Sequence, residues 1–433
     1  NIFFRNAMRF HPRCLYSFTF LRLKFFTSGV VVLSLYSLCT HGILVSQQDR
    51  TTMKSCAASA AVDARLRSSL LSLLSGDALA SPTHWFYGGS SQVLSVYGGP
   101  ITGFTAPVER LSGSIMGKSN VNGGGRGRFG KDPTTGKAII GDVINHGKYK
   151  YWDPRESYHY HATLKAGENT LEGSLVRLLM RTVTNDGGEV SAPSFRAAYL
   201  KFMQTPDSHN DAYASTCHRM FFANYVRGKD AADCPDNDGH NVDTVDGLIL
   251  PAVAAMAASA SGVDLEESRR AATDIGRVTR RSKVLDRWAS AWAALAHDAL
   301  HSESDDAVLD AARKFTGDVG LRPPDPRRGA DVAACYLTQS VPGLMNAVAR
   351  WTPVEDVRGA LLENSNAGGE NVHRGALLGS VLGARDAPGG LELAEGLWNA
   401  EEILAEVDAF VQALAERRNR LAVERGSDET VAK

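Results

Sequence analysis

Apolar residues recur at helical spacing along most of this chain and almost never alternate. Residues 61–79 place Leu66, Leu70, Leu73 and Leu74 three or four positions apart and end in Ser75-Gly76-Asp77, which predicts an amphipathic helix and its stop. Helical pattern resumes at 168–183 and 194–203. A polar loop at 205–213 then leads into another helix through about residue 227. Residues 233–246 read as polar loop, and 247–258 are apolar enough to be buried on every side. Residues 264–302 form one long amphipathic stretch or two broken by a kink. Further patterns follow at 307–315, 330–351 and 353–362, and a surface helix with a charged face closes the chain at 391–425. The predicted class is therefore all-α, with many helices in one domain.

Residues 81 to about 160 break the pattern. They are rich in Gly, Tyr and His and show no period, so they read as a long insertion or functional loop. The first 52 residues are different again. Arg5, Arg9, Arg13, Arg22 and Lys24 occur without an acid, and residues 25–45 then lack any Asp, Glu, Lys or Arg. A basic flank before an apolar run reads as a signal, an anchor or a transit sequence. The chain begins with Asn1 and Met53 precedes the globular part, so an untranslated upstream stretch fits as well. The expected organisation is a segment 1–52 and a domain 53–433. The protein is expected to be cytoplasmic if translation starts at Met53, and otherwise organelle-targeted or membrane-anchored.

Composition narrows the classes. With 433 residues the chain can bury a large core, and a formal net charge of -1 supplies no field that would draw it to nucleic acid. A membrane partner enters only if residues 1–52 are retained. Cysteines 14, 39, 56, 217, 234 and 335 are scattered with no C-x-x-C, which favours free thiols and argues against a zinc ribbon.

The chemistry concentrates in a repeated triplet. Gly167-Glu168-Asn169 precedes Thr170 and an apolar helix; Gly369-Glu370-Asn371 precedes Val372, His373 and a stretch with Gly375, Gly379 and Gly383. Each sets an acid, an amide and a hydroxyl or imidazole at a helix start, where unpaired N–H groups and oxygen ligands converge. The plainer alternative is that Glu168 and Asn169 cap one helix and Glu370 and Asn371 the other. The glycines at spacing four suit close helix packing. His84, His159, His161, His209, His218 and His240 all fall in or beside polar loops, and Ser208-His209-Asn210-Asp211 has the make-up of a ligand-gripping loop. Imidazole supplies a base near neutral pH or a transition-metal ligand. Asp211 and Glu370 are the leading general-base candidates, with His209 and His373 beside them. Weaker signals are the glycine- and arginine-rich run at 123–128, which could touch a pyrophosphate or merely be a flexible loop, and Trp85-Phe86-Tyr87, which could stack on adenine or pack in the core.

Three places carry a resemblance to a known family. Gly76-Asp77-Ala78-Leu79-Ala80 resembles the Gly-Asp-x-x-Gly opening of the ADP-ribosylglycohydrolases, an all-helical family that includes crystallin J1 and the dinitrogen-reductase-activating glycohydrolases. Residues 167–170 stand where that family has Thr-Asp-Asp-Thr. Residues 366–384 resemble its signature Asn-x-Gly-Gly-Asp-x-Asp-Thr followed by Ala-Gly-x-x-x-Gly-Ala, with Gly368-Gly369 and Gly383-Ala384 in place. The resemblance implies an orthogonal all-α bundle and hydrolysis of a glycosidic bond of ADP-ribose or a related nucleoside sugar. The substrate would be an ADP-ribosylated protein or a small ADP-ribose-containing molecule. A non-catalytic ADP-ribose-binding or crystallin-like structural protein is the alternative it carries.

The family's acids and threonines bind two magnesium ions, and here they are altered. Gly167 replaces a Thr, Glu168 and Asn169 replace two Asp, Glu370 replaces one Asp, Val372 the next, and His373 the Thr. Two divalent ions held close together need several carboxylates to offset their repulsion. One Mg²⁺ or Mn²⁺, or no metal, is therefore expected, with Glu168, Glu370 and Asp77 as its ligands. Asn169, Thr170, Asn371, Gly368 and Gly369 are the positions implied for ligand binding.

Overall fold

Leu66, Leu70, Leu73 and Leu74 lie on one stripe of helix α1 (Gln47–Ala80) and are completely buried, as their spacing requires. The stripe widens along the helix: every residue from 68 to 80 is buried, so the C-terminal half of α1 runs through the interior. The computed structural model describes residues 47–431 except Arg128 and Ala330, so the reading of residues 1–46 and of Arg128 lies outside the described residues. Residues 54–433 form one compact unit.

Thirteen further helices follow among the described residues. They are α2 (Gly89–Tyr97), α3 (Leu171–Asn185), α4 (Ala192–Gln204), α5 (Thr216–Val226), α6 (Ile249–Ala260), α7 (Leu265–Thr279) and α8 (Lys283–His301), then α9 (Asp305–Asp318), α10 (Leu337–Trp351), α11 (Val357–Ala367), α12 (Val372–Leu382), α13 (Ala387–Ala394) and α14 (Ala400–Val431). Among the described residues there is no β-strand, only isolated bridges such as Arg110–Tyr158 and Thr244–Tyr336, so the all-α class is what the chain adopts. None of the described helices is long and apolar enough to cross a membrane.

Two helices are buried along their whole length, α6 and α12, and they touch each other. The apolar run at 247–258 thus becomes α6, and the glycine-spaced run becomes α12. On its other sides α12 packs against α10, α11 and the buried half of α1. A helix can be surrounded in this way only if at least one neighbour comes very close, and Gly375, Gly379 and Gly383 provide that approach to α1.

Several boundaries differ from the sequence pattern, each for a local reason. The stretch 264–302 is two helices, because Arg280 turns extended (φ -142°, ψ 152°) and the Ser282 hydroxyl accepts from Leu285 N to start α8. Helix α10 starts only at Leu337; before it the chain forms a strap in which Tyr336 bridges Thr244 and the Ala333 carbonyl accepts from Glu370 N. The closing helix is interrupted between α13 and α14, where Asn399 adopts a positive φ of 62°. The irregular region 81–160 contains α2, which ends at Gly98 in the left-handed region (φ 76°), and otherwise consists of loops, turns and helical segments of three to five residues.

Candidate active site

Two glycines bring the site together. Gly368 and Gly369 both take positive φ (70° and 64°), and a Cβ on Gly368 would lie 2.5 Å from the Phe86 carbonyl oxygen. That close approach allows a two-way backbone pairing: Trp85 N donates to Gly369 O (2.8 Å) and Gly369 N to Phe86 O (3.1 Å). The pairing sets His84 and Trp85 against Glu370, while His373 comes from the first turn of α12. Trp85 itself has φ 58°, a conformation that a bulky residue adopts only under constraint.

Glu370 is fully buried and surrounded by donors. Its Oε1 meets His84 Nε2 at 3.2 Å and is in contact with His373 Nδ1, and its Oε2 accepts from Trp85 Nε1 at 2.9 Å. The array continues away from Glu370. His84 Nδ1 is 2.7 Å from His161 Nε2, in rings tilted by only 4°, and His161 Nδ1 is 2.9 Å from Asp211 Oδ1. Asp211 also accepts from Leu171 N and Tyr213 N, which locks it in place. Four chain segments, around residues 84, 161, 211 and 370, thus meet in one line of contacts.

Opposite shifts meet at Glu370 and His373. Burial pushes the Glu370 carboxyl up, but His373 and then His84 outweigh it and hold the group well below the carboxylate range. Burial likewise opposes and Glu370 reverses the shift at His373, which is pushed up to about 9. Burial lowers His84 to about 4, against the pull of Glu370. Asp211 stays below its ordinary value because His161 and two backbone N–H groups overcome its burial. Each imidazole of the line lies between two partners, so both buried carboxylates are engaged from the interior side.

The other sequence candidates are spread around this line. Asp77, from the end of α1, accepts from Thr170 N (2.8 Å), Thr170 Oγ1 (2.6 Å) and Asn169 Nδ2 (3.0 Å), and burial raises its carboxyl despite those donors. Asp77 and Asp211 therefore sit together on the N-terminus of α3, where carboxylates are stabilised. Glu168 is half-buried and accepts from Lys165 N and Asn210 Nδ2. Asn371 donates to Thr83 Oγ1 and the Ser365 carbonyl, and neither it nor Thr170 makes a side-chain cap. The amide oxygens of Asn169 and Asn371 are buried without a partner. His209 stacks on Phe202 and has an unpartnered Nδ1, outside the line of contacts. The two triplets are thus not equivalent: Glu370 is at the centre, while Glu168 is not brought to it. Sequence reasoning places His84 and His161 among the loop histidines without giving them a role, and it misses a second buried group. In that group Ser215 Oγ joins Glu172 and Asp246, His218 Nε2 contacts Glu172 at 3.0 Å, and Arg280 Nη2 contacts Asp246 at 2.5 Å.

Above this centre lies a cleft of about 210 Å³ lined by Trp85, Tyr87, Lys118, Arg126, Arg219 and Tyr336 among others. Its lining holds three cations and no acid. A recess of about 40 Å³ shares Trp85, Tyr213 and Cys335 with the cleft and reaches Glu370, His373 and Asp246, so it forms the cleft floor. His373 Nε2 makes no hydrogen bond among the described residues. Arg126 brings part of the glycine-rich run to the cleft wall, and the buried Arg219 holds that run through the Asn120 and Gly123 carbonyls. A larger groove of about 360 Å³ near Arg270 and Arg417 contains no histidine and shares no residue with the centre.

A pair of magnesium ions does not suit these residues. Magnesium requires oxygen ligands in near-octahedral array. Asp77 has its oxygens taken by three N–H or O–H donors, and Glu168 faces Lys165 and Asn210. Among the described residues the acid and imidazole atoms that one ion could reach are those of His84, Glu370 and His373, which offer one carboxylate and two nitrogens.

Comparison with known proteins adds three findings. The family model described as ADP-ribosylglycohydrolase matches residues 58–422. A solved structure described as an ADP-ribosylglycohydrolase-related protein complex is similar in fold, at 16% sequence identity and a TM-score of 0.50, covering 82% of this chain and 99% of its own. No curated protein matches the chain.

Proposed function

We propose a function from one premise: the chain belongs to the ADP-ribosylglycohydrolase family. The protein hydrolyses a glycosidic bond that joins ADP-ribose, or a related nucleoside sugar, to a protein side chain or a small acceptor. The observation that carries this reading is Glu370, fully buried in contact with His373, on the floor of a cleft whose lining is aromatic and cationic. Lys118 and Arg126 suit a pyrophosphate, and the faces of Tyr87 and Tyr336 suit a purine. The sugar then lies over the recess.

Glycosidic cleavage passes through a cationic, oxocarbenium-like sugar. Glu370 supplies the opposing negative charge. His373, as imidazolium, gives its Nε2 proton to the departing atom. Losing that proton removes the cation that holds Glu370 acidic, so the carboxylate becomes a better base as water attacks the anomeric carbon. It takes one proton from that water, the second hydrogen stays on the new sugar hydroxyl, and exchange with solvent resets both side chains. Asp211 and His161 act through His84 as positioning residues.

Glu370→Gln keeps the size of the side chain and removes its charge. Release of free ADP-ribose from an ADP-ribosylated protein should fall by a hundredfold or more, the order of one acid–base group, with the circular dichroism spectrum unchanged. Turnover equal to wild type in that variant would refute the role of Glu370. Because Glu370 is fully covered, a pocket that binds ADP-ribose without cleaving it is the second reading. Tight binding by wild type with no product would establish it.

A further inference from the structure

We propose that His84, Glu370 and His373 form a site for one divalent transition-metal ion of the zinc or cobalt class, which silences the centre when bound. The donor set points away from magnesium: two imidazole nitrogens and one carboxylate oxygen are what borderline ions such as Zn²⁺ and Co²⁺ select. Around a tetrahedral ion with ordinary bonds the ligand atoms stand roughly 3.3 Å apart; His84 Nε2 and Glu370 Oε1 are 3.2 Å apart, and His373 Nδ1, in direct contact with Oε1, draws back to admit the ion.

The surroundings are those of a metal ligand. His84 has its far nitrogen engaged by His161, which is in turn engaged by Asp211, so the ring is fixed with Nε2 facing Glu370. Trp85 Nε1 occupies Oε2 of Glu370 and leaves Oε1 to the two imidazoles. The recess beside Glu370 and His373 leaves room for a fourth ligand.

An ion on His84 Nε2 and His373 Nδ1 occupies the nitrogens that face Glu370, and the far nitrogen of His84 keeps its contact with His161. A neutral His373 bound through Nδ1 is a poor proton donor, and Glu370 no longer opposes a cationic sugar. That last consequence rests on the hydrolase reading; the binding itself does not.

The test uses the full chain, freed of metal by chelation and titrated with cobalt(II) chloride alone. We expect one ion per chain with the visible absorption of a low-coordinate cobalt–imidazole site. His84→Gln and His373→Gln should abolish the absorption. His161→Gln, which removes only an outer partner, should weaken binding about 10- to 100-fold. Excess Mg²⁺ should leave the spectrum unchanged. Circular dichroism checks folding, and if one ligand variant misfolds the other two still discriminate. No cobalt uptake by wild type, uptake that survives all three variants, or displacement by Mg²⁺ would overturn the proposal. Uptake retained by the variants would place the ion at a surface pair such as His297 and His301, whose rings are 4.4 Å apart. Metal binding is read without substrate, so the titration separates a failed metal site from a failed hydrolase.

Discussion

Replacing Gly379 by Ala should loosen the seam that positions the site. A Cβ there would lie 2.2 Å from the Ser72 carbonyl oxygen and 2.5 Å from its carbon. Ordinary contact begins at 3.4 Å, so α1 and α12 must separate locally by about 3.4 − 2.2 = 1.2 Å. Both obstacles are backbone, and no rotamer change relieves them. Overpacking of this kind costs about 1–3 kcal/mol, and backbone-to-backbone obstruction belongs at the upper end. Removing a glycine from a helix interior returns up to about 1 kcal/mol. The net expectation is a loss of about 2 kcal/mol.

The seam also joins Asp77, on α1, to His373, in the first turn of α12. A displacement near 1 Å at a reacting centre costs on the order of a hundredfold in rate, so turnover should fall in molecules that remain folded. Gly317→Ala is the control. It lies in α9, and nothing stands within 4 Å of its Cβ position. That substitution should therefore stabilise the protein by up to about 1 kcal/mol. Urea unfolding followed by circular dichroism reads both signs in one experiment. If Gly379→Ala unfolds at the same or higher urea than wild type, backbone contact between α1 and α12 does not limit their approach.

Other expectations follow from the same centre. His373 is pushed up to about 9 from an ordinary 6.5, so the stability it contributes is complete below pH 6.5 and lost as pH rises through 9. At most about 3 kcal/mol is involved, and the urea midpoint should fall between pH 6.5 and 9; a flat profile there would contradict the ion pair. Glu370 has the opposite sign: its contribution is present above its ordinary value of 4.5 and is lost on acidification below it, so the midpoint should also decline toward acid pH. Asp77→Ala strands three buried donors at about 1–3 kcal/mol each and should prevent folding or nearly so. Asp77→Asn should fold with reduced stability and keep cobalt uptake, whereas lost uptake in a folded Asp77→Asn would make Asp77 a ligand after all. Trp85→Phe removes the donor to Glu370 Oε2 while keeping an aromatic ring, and should reduce turnover and cost about 1–3 kcal/mol in urea unfolding, because a buried carboxylate oxygen is left unpaired.

The helices were legible because their burial is one-sided or complete, and both conditions write a period or an apolar run into the chain. Leu66 through Leu74 and residues 247–258 show this directly. Helix α2 was not legible. Its Gly-Ser-Ser-Gln opening carries no period, and only Gly89 and Val93 are buried. The breaks after Thr279 and before Ala400 depend on Arg280 reaching Asp246 and on Asn399 taking positive φ, and both answer to tertiary surroundings.

The candidate site divides in the same way. Glu370 and His373 could be read because they share a short motif with Gly368 and Gly369, and the glycines are required by an approach that a Cβ would block. The twin triplet at 167–169 looked equivalent, yet local sequence says nothing about what lies opposite. Glu168 meets Lys165 and Asn210 near the surface, while Glu370 meets two imidazoles and an indole in the interior. A buried acid must find a hydrogen-bond partner, and here it comes from positions 84 and 373, just as His161 answers Asp211 and His218 answers Glu172. In a chain with more loop histidines than surface chemistry needs, the useful question is which buried carboxylate each one neutralises. Each such pair that forms also shows where a proton, or an ion in its place, can be held.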